Sequence, residues 1–155
     1  MNENECLVKR FYYAFSQRDA EGMVKCYHPQ VHFSDPVFDL HNESASQMWR
    51  MLCKRGLDLR VEYRDIQATG PNTVSAHWEA WYTFSQTGRQ VHNVIDAQLE
   101  IEGGLIKRHI DDFDFWVWSQ QALGPMGWLL GWSNTLKNKV RAKAAHGLDL
   151  FENAR

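Results

Sequence analysis

Apolar positions recur at two periods along this chain, and the switch between them divides it. Leu7, Phe11, Ala14 and Phe15 fall at helical spacing, which predicts an amphipathic first helix ending near Arg18. Asp19 can cap a second helix, with Met23, Val24 and Tyr27 apolar and Pro29 as its stop. Val31, Phe33 and Asp35 alternate with His32 and Ser34 as a strand that Pro36 closes. A third helix opens at Ser44 or Ser46, runs through Met48, Trp49, Met51 and Leu52, and ends at Gly56.

Beyond Gly56 the period falls to two. Leu57, Leu59, Val61 and Tyr63 alternate with charged residues, and Gly70-Pro71-Asn72 predicts a turn. Val74, Ala76, Trp78, Ala80, Tyr82 and Phe84 then alternate with Ser75, His77, Glu79, Trp81 and Thr83. Thr87-Gly88-Arg89 and Glu102-Gly103-Gly104 are hairpin turns around a strand from Val91 to Ile101. Two helices, a strand, a helix and an antiparallel meander make an α+β order. The remainder breaks at Gly124-Pro125-Met126-Gly127, then runs through Trp128-Leu129-Leu130-Gly131-Trp132 into a basic helix striped by Leu136, Val140 and Ala144. The division is therefore a domain over residues 1–115 and a C-terminal helical extension over 116–155, expected to pack on the same domain or on a dimer mate.

Composition narrows the classes. The 155 residues fit one domain with a proper core, and 44% hydrophobic content with seven Trp suits either a lined cavity or a bulky interior. A net charge of -2 argues against nucleic acid as a partner. The charge is uneven: residues 116–155 carry +3 and the first 115 carry the balance. Cys6, Cys26 and Cys53 have no paired spacing, so reduced thiols and a cytoplasmic setting are expected. No basic-then-apolar leader opens the chain, and no apolar run approaches the roughly 20 residues of a membrane span. His28 and His32 are separated by a helix-breaking Pro29, so no metal is expected, and without a phosphate-binding glycine loop or dinucleotide fingerprint no other cofactor is expected either.

The candidate chemistry lies on the last strand, Leu105 to Phe115. Alternation sends His109, Asp111 and Phe113 to one face and Arg108, Ile110, Asp112 and Asp114 to the other. Asp111 is thus a candidate acid/base if its face lines an apolar cavity, with His109 as its partner. Asp112 and Asp114 fit helix caps, because a helix begins near Trp116. Asp35 shares the face of Val31 and Phe33, which makes it a second candidate.

Several of these motifs together resemble one superfamily. Phe11 to Asp19, Met23 to Pro29, Val31 to Pro36, and Ile106 with Asp111 and Phe113-Asp114-Phe115 resemble the nuclear-transport-factor-2-like fold of SnoaL-like cyclases, ketosteroid isomerase and limonene-epoxide hydrolase. The resemblance implies a cone of three N-terminal helices packed on a curved, mostly antiparallel sheet, with carboxylates inside an apolar cavity. It implies that Asp111 stands where the hydrolase has a catalytic aspartate, although Trp78 and Ala80 replace the Arg and second Asp of that enzyme. It implies that Asp35 stands where the isomerase has its general base, with Phe11 in place of a tyrosine and Tyr12 one residue on.

The expected function is binding of a small, largely apolar molecule, with cofactor-free acid/base chemistry of the isomerase, cyclase or hydratase type. Asp111, Asp35 and His109 are the catalytic candidates. Phe11, Tyr12, Phe33, Trp78, Tyr82, Asn93 and Phe113 are the expected lining. The alternatives are a non-catalytic ligand carrier or an interaction module of the same fold. A homodimer through the face of His77, Glu79, Trp81 and Thr83 is expected, and membrane association is not.

Overall fold

The computed structural model describes residues 2–154, so Met1 and Arg155, the last of the tail's basic residues, lie outside it. Helix α1 spans Glu3–Ser16 and begins with a capping box: Asn2 accepts from the Glu5 backbone N–H while the Glu5 side chain accepts from the Asn2 N–H. Helix α2, Ala20–Val24, is capped by Asp19 as its position predicts. It ends earlier than Pro29. Residues 27–29 instead open strand β1, Tyr27–Ser34. Pro29 is tolerated there because the pairing register shifts between Tyr27 and His32, where a ladder hydrogen bond is not required of it.

A short strand β2, Asp39–His41, follows, which the alternation pattern did not reveal. Helix α3 covers Glu43–Arg55 and starts one residue ahead of Ser44, with Gly56 at its end. Strands β3 (Arg60–Gly70), β4 (Thr73–Phe84), β5 (Arg89–Glu102) and β6 (Leu105–Asp112) form the expected meander, with Leu57 and Leu59 left outside it. The sheet order is β2-β1-β6-β5-β4-β3, and only the β1–β6 pairing is parallel. The architecture is the α+β cone: three N-terminal helices on a curved, unclosed six-stranded sheet.

Curvature comes partly from a bulge in β3. Between the pairs Arg64–His77 and Gln67–Ser75 the register slips, and Asp65 adopts a φ of 56°. Asp tolerates that left-handed conformation better than a branched residue would. The inner face of the bent sheet collects Val74, Ala76, Trp78 and Ala80 of β4 and Ile95, Ala97 and Leu99 of β5, all buried against α1 and α3. On the outer face Trp81 does not stand open. It stacks on the His92 ring at 4.4 Å and lies under the Arg60 guanidinium at 4.2 Å. Glu79 beside it accepts hydrogen bonds from His77, His92 and Arg64. Asp96 joins the same outer cluster through His77 at 2.9 Å.

The extension forms three helices: α4 (Phe115–Leu123), α5 (Pro125–Leu130) and α6 (Asn134–Asn153). Phe115, Trp118 and Ala122 of α4 bury against Val91, with Tyr82, Phe84 and Phe113 packed around them. Helix α6 crosses the β1–β2 turn, where Arg141 donates to the Pro36 carbonyl at 2.9 Å, and sinks Leu148 into the core beside α3. No helix among the described residues is long and apolar enough to cross a membrane.

Asp114 caps α4, accepting from the Trp116 and Val117 N–H groups at 2.9 and 3.1 Å, whereas Asp112 ends β6 exposed. Asp114→Ala should therefore cost about 1 kcal/mol in urea denaturation, and Asp112→Ala less than about 0.5.

Candidate functional site

His109 and Asp111 project from β6 into the inner face, at 0% and 3% exposure. An unpartnered buried polar group costs several kcal/mol, and both ring nitrogens of His109 and one oxygen of Asp111 are partnered. The fold supplies the partners from four elements. Tyr27 at the start of β1 meets His109 Nδ1 at 2.8 Å, and Trp49 of α3 donates its indole N–H to the Tyr27 hydroxyl at 2.8 Å. On the other ring edge, His109 Nε2 lies 3.0 Å from Asp111 Oδ1 and 3.4 Å from the Tyr12 hydroxyl. Trp78 of β4 donates to the same carboxylate oxygen at 3.2 Å.

The result is one buried chain: Trp49–Tyr27–His109–Asp111–Trp78, with Tyr12 at its bend. Burial, followed by the Asp111 charge, pushes both Tyr12 and Tyr27 well above the ordinary tyrosine pKa, while the Trp49 hydrogen bond pulls Tyr27 partly back. Both hydroxyls therefore remain protonated and uncharged. Rings enclose the imidazole: Phe33, Phe11, Trp49, Tyr27 and Tyr12 have centroids 5.1 to 6.4 Å from it. Side chains thus occupy the space around His109 that the sequence leads one to expect as an open cavity.

Asp35 sits one step further out. In the parallel pair Phe33 opposes His109 and Ser34 opposes Ile110, so the same register carried one residue on sets Asp35 beside Asp111. Its Oδ1 accepts from the Val37 and Phe38 N–H groups at 2.7 and 2.6 Å, the Asx-turn pattern expected before Pro36. Among the described residues its Oδ2 has no hydrogen-bond partner. Burial raises the Asp35 carboxyl to about 7; the two backbone donors oppose this, Asp111 reinforces it, and His109 opposes it slightly.

Tyr82 of β4 faces the same mouth. Its hydroxyl accepts the Trp118 indole N–H at 2.8 Å, and desolvation pushes its pKa up to about 12, with the Asp35 charge contributing. A cleft of about 400 Å³, lined by Asp58, Arg60, Trp81, Tyr82, Val91 and Gln121 among others, opens beside the Trp81–His92 stack and reaches Tyr82 but neither Asp35 nor Asp111. A larger groove of about 590 Å³ runs along Lys9, Arg10, Tyr13 and Lys25, on the outer side of α1 and α2 and away from the carboxylates.

The expected residues thus separate by depth. Asp111, His109, Phe11, Tyr12, Phe33 and Trp78 form the sealed interior, while Asp35, Tyr82 and Phe113 are only half-buried. Asn93 lies half-buried on the inner-facing side of β5, paired with Ala80. Two members of the hydrogen-bonded chain, Tyr27 and Trp49, were read from the sequence only as apolar helix residues. Tyr27 lies in a strand, and no local pattern could have paired it with a histidine 82 positions away. On the outer side of the β1–β2 pair, ligand atoms of His32, Asp39 and His41 lie within 4.8 Å of one another, and His32 already pairs with Asp39 at 2.5 Å.

The family model of the SnoaL-like domain matches residues 8–109. Among curated proteins none matches. Solved structures share the fold at low identity. An epoxide hydrolase of M. tuberculosis described as LEH-like superposes with a TM-score of 0.65 and 16% identity, over 83% of this chain and 95% of its own. An NTF2-like protein of unknown function from Burkholderia pseudomallei gives 0.62 and 18%, over 74% and 92%. TerC, co-crystallised with polyporic acid, gives 0.61 and 18%, over 73% and 92%.

Tyr27→Phe leaves His109 Nδ1 and the Trp49 indole without their partner, and should destabilise the protein by about 2–3 kcal/mol in chemical denaturation. The exposed Tyr13→Phe serves as the control, within about 0.5 kcal/mol. Asp35 predicts a pH dependence. Its folded pKa of about 7 exceeds the unfolded value of about 3.9. Between these values the unfolded chain releases a proton that the folded protein keeps, so this group's contribution to stability falls as pH rises from about 4 to 7 and is flat above. Because the carboxyl keeps some solvent contact, the loss should be about 2 kcal/mol, half of what full desolvation implies. Asp35→Asn, which retains an acceptor for Val37 and Phe38, should flatten that part of the stability–pH curve.

Proposed function

Because the chain belongs to the SnoaL-like domain family over residues 8–109, we propose that it binds a small, largely apolar carbonyl compound at the mouth of its cone and moves a proton there without a cofactor. The observation that carries this reading is the pairing at the mouth. A half-buried carboxyl with one oxygen unengaged is backed by a second carboxylate and shares its electrostatic field with a tyrosine hydroxyl.

Asp35 is the base. A carboxyl near pH 7 is matched to physiological proton transfer, being partly ionised yet basic enough to remove a proton from carbon next to a carbonyl. Tyr82 is the donor. Its oxygen accepts from Trp118, which leaves its own O–H free to hydrogen-bond the oxygen of the enolate as charge develops there. The proton on Asp35 then returns to another carbon of the enolate, completing an isomerisation, or the enolate carbon attacks an internal carbonyl and the Asp35 proton passes to the alkoxide so formed, completing a cyclisation and restoring the carboxylate. Asp111 and His109 do not reach the ligand in this reading. They are positioning residues: their buried chain fixes β6, and the Asp111 charge helps keep Asp35 a weak acid. Val37, Phe38 and Phe113 supply the apolar wall. That TerC, of the same fold, is co-crystallised with polyporic acid supports a small organic ligand.

A second reading, a non-catalytic carrier of such a molecule, is favoured by the ring-filled interior, which leaves little depth beneath Asp35. The experiment separates the two. Apolar ketones are incubated with the protein in D₂O and carbon–deuterium exchange is followed by NMR. The enzyme reading expects exchange that rises with pH through about 7, falls about 100-fold or more in Asp35→Asn, and weakens in Tyr82→Phe. Saturable binding of the same ketones with no exchange selects the carrier.

A further inference from the structure

Helix α5 is inverted relative to an ordinary surface helix. Its packing contact is made by glycine: a Cβ on Gly127 would meet the Ser119 carbonyl at 1.8 Å, and one on Gly131, just past the helix, would meet Ser119 Oγ at 2.1 Å. The two backbones therefore touch, and the apolar side chains point away from the protein. Met126, Trp128, Leu129, Leu130 and Trp132 are all exposed, Trp128 at 59% and Trp132 at 76%. Trp116 and Val117 of α4 are also exposed. Of the two expected packing partners for the extension, its own domain or a dimer mate, the first does not cover these side chains, and the apolar surface is concentrated far beyond the scattered exposure of a normal monomer.

Charge identifies the occupant. From Phe115 to Leu148 the chain has no acidic residue, while Lys137, Lys139, Arg141 and Lys143 follow directly on the patch. Lys139 and Lys143 are exposed, and Lys137 lies over the Phe115 ring. A second copy docked patch to patch about a two-fold axis would bring these cations against their own equivalents. An anionic lipid surface accommodates both features at once: Trp, Leu and Met enter the headgroup–acyl boundary, and the lysines meet negative headgroups. We infer that the α4–α5 tip, with the first turns of α6, is a peripheral membrane-docking surface for anionic lipid. The inference does not depend on the proton-transfer reading.

The full chain is sedimented with phosphatidylcholine vesicles, with and without phosphatidylglycerol. Co-sedimentation with the anionic vesicles is expected, weaker by about tenfold or more on pure phosphatidylcholine. Trp128→Ser/Trp132→Ser should abolish it. Lys139→Glu/Lys143→Glu, at exposed positions, should weaken it about tenfold or more with the far-UV circular dichroism unchanged. If the tryptophan variant does not fold, the lysine pair decides alone. A chain that stays in the supernatant, or binding that neither variant alters, overturns the inference. A dimer by light scattering that Trp128→Ser/Trp132→Ser dissolves, without vesicle binding, overturns it in favour of a second copy.

Discussion

Burial of His109 and Asp111 in an aromatic interior is the constraint on which the rest of the structure depends. An imidazole and a carboxylate at nearly zero exposure are tolerated here because both ring nitrogens and one carboxylate oxygen find partners. Satisfying them ties together elements far apart in sequence: Tyr12 from α1, Tyr27 from β1, Trp49 from α3 and Trp78 from β4 all converge on β6. The network therefore specifies the packing of helices on sheet as firmly as the apolar contacts do. An apolar interior of the same volume would tolerate small slips of α3 along the sheet, which hydrogen bonds near 2.8 Å do not.

The same constraint shapes the mouth. Because β1 and β6 run parallel in fixed register, burying His109 and Asp111 also fixes where the end of β1 must go, and Asp35 arrives next to a second carboxylate. Its neighbours then come from the extension. Trp118 engages Tyr82, and Arg141 holds the Pro36 carbonyl, so α4 and α6 bound the turn that carries Asp35. The extension is thus continuous with the site. Its far end, α5, adds nothing to the core and presents its apolar side chains outward.

The cone was legible because it rests on local rules. Period-3.6 and period-2 patterning, the Asp19 and Asp114 caps, and the glycine turns at 88 and 103–104 each act over a few residues; the caps and turns agree with the observed elements, and so does the patterning except at Tyr27 and at Leu57 and Leu59. The misses share a cause. Tyr27 and Pro29 read as helix end and helix stop, yet the parallel pairing with β6 drew them into a strand. Strand β2 is three residues long, too short for alternation to register, and exists because β1 offers it an edge. Trp81 looked like an unpartnered ring until His92 and Arg60, on the neighbouring strands, enclosed it.

What the sequence determined by itself was the fold class, the inward faces of the strands and the candidate acids Asp35 and Asp111, since strand alternation assigns a face wherever the register is regular. What only the tertiary structure decided was the depth of each residue along that face. Alternation states which side of a sheet a carboxylate occupies, but whether it meets solvent, a ligand or five aromatic rings depends on helices packed from elsewhere in the chain. Likewise the composition of α5 foretold apolar side chains, but not their direction. That was set by Gly127 and Gly131, whose lack of a Cβ let backbone rather than side chain make the contact with α4.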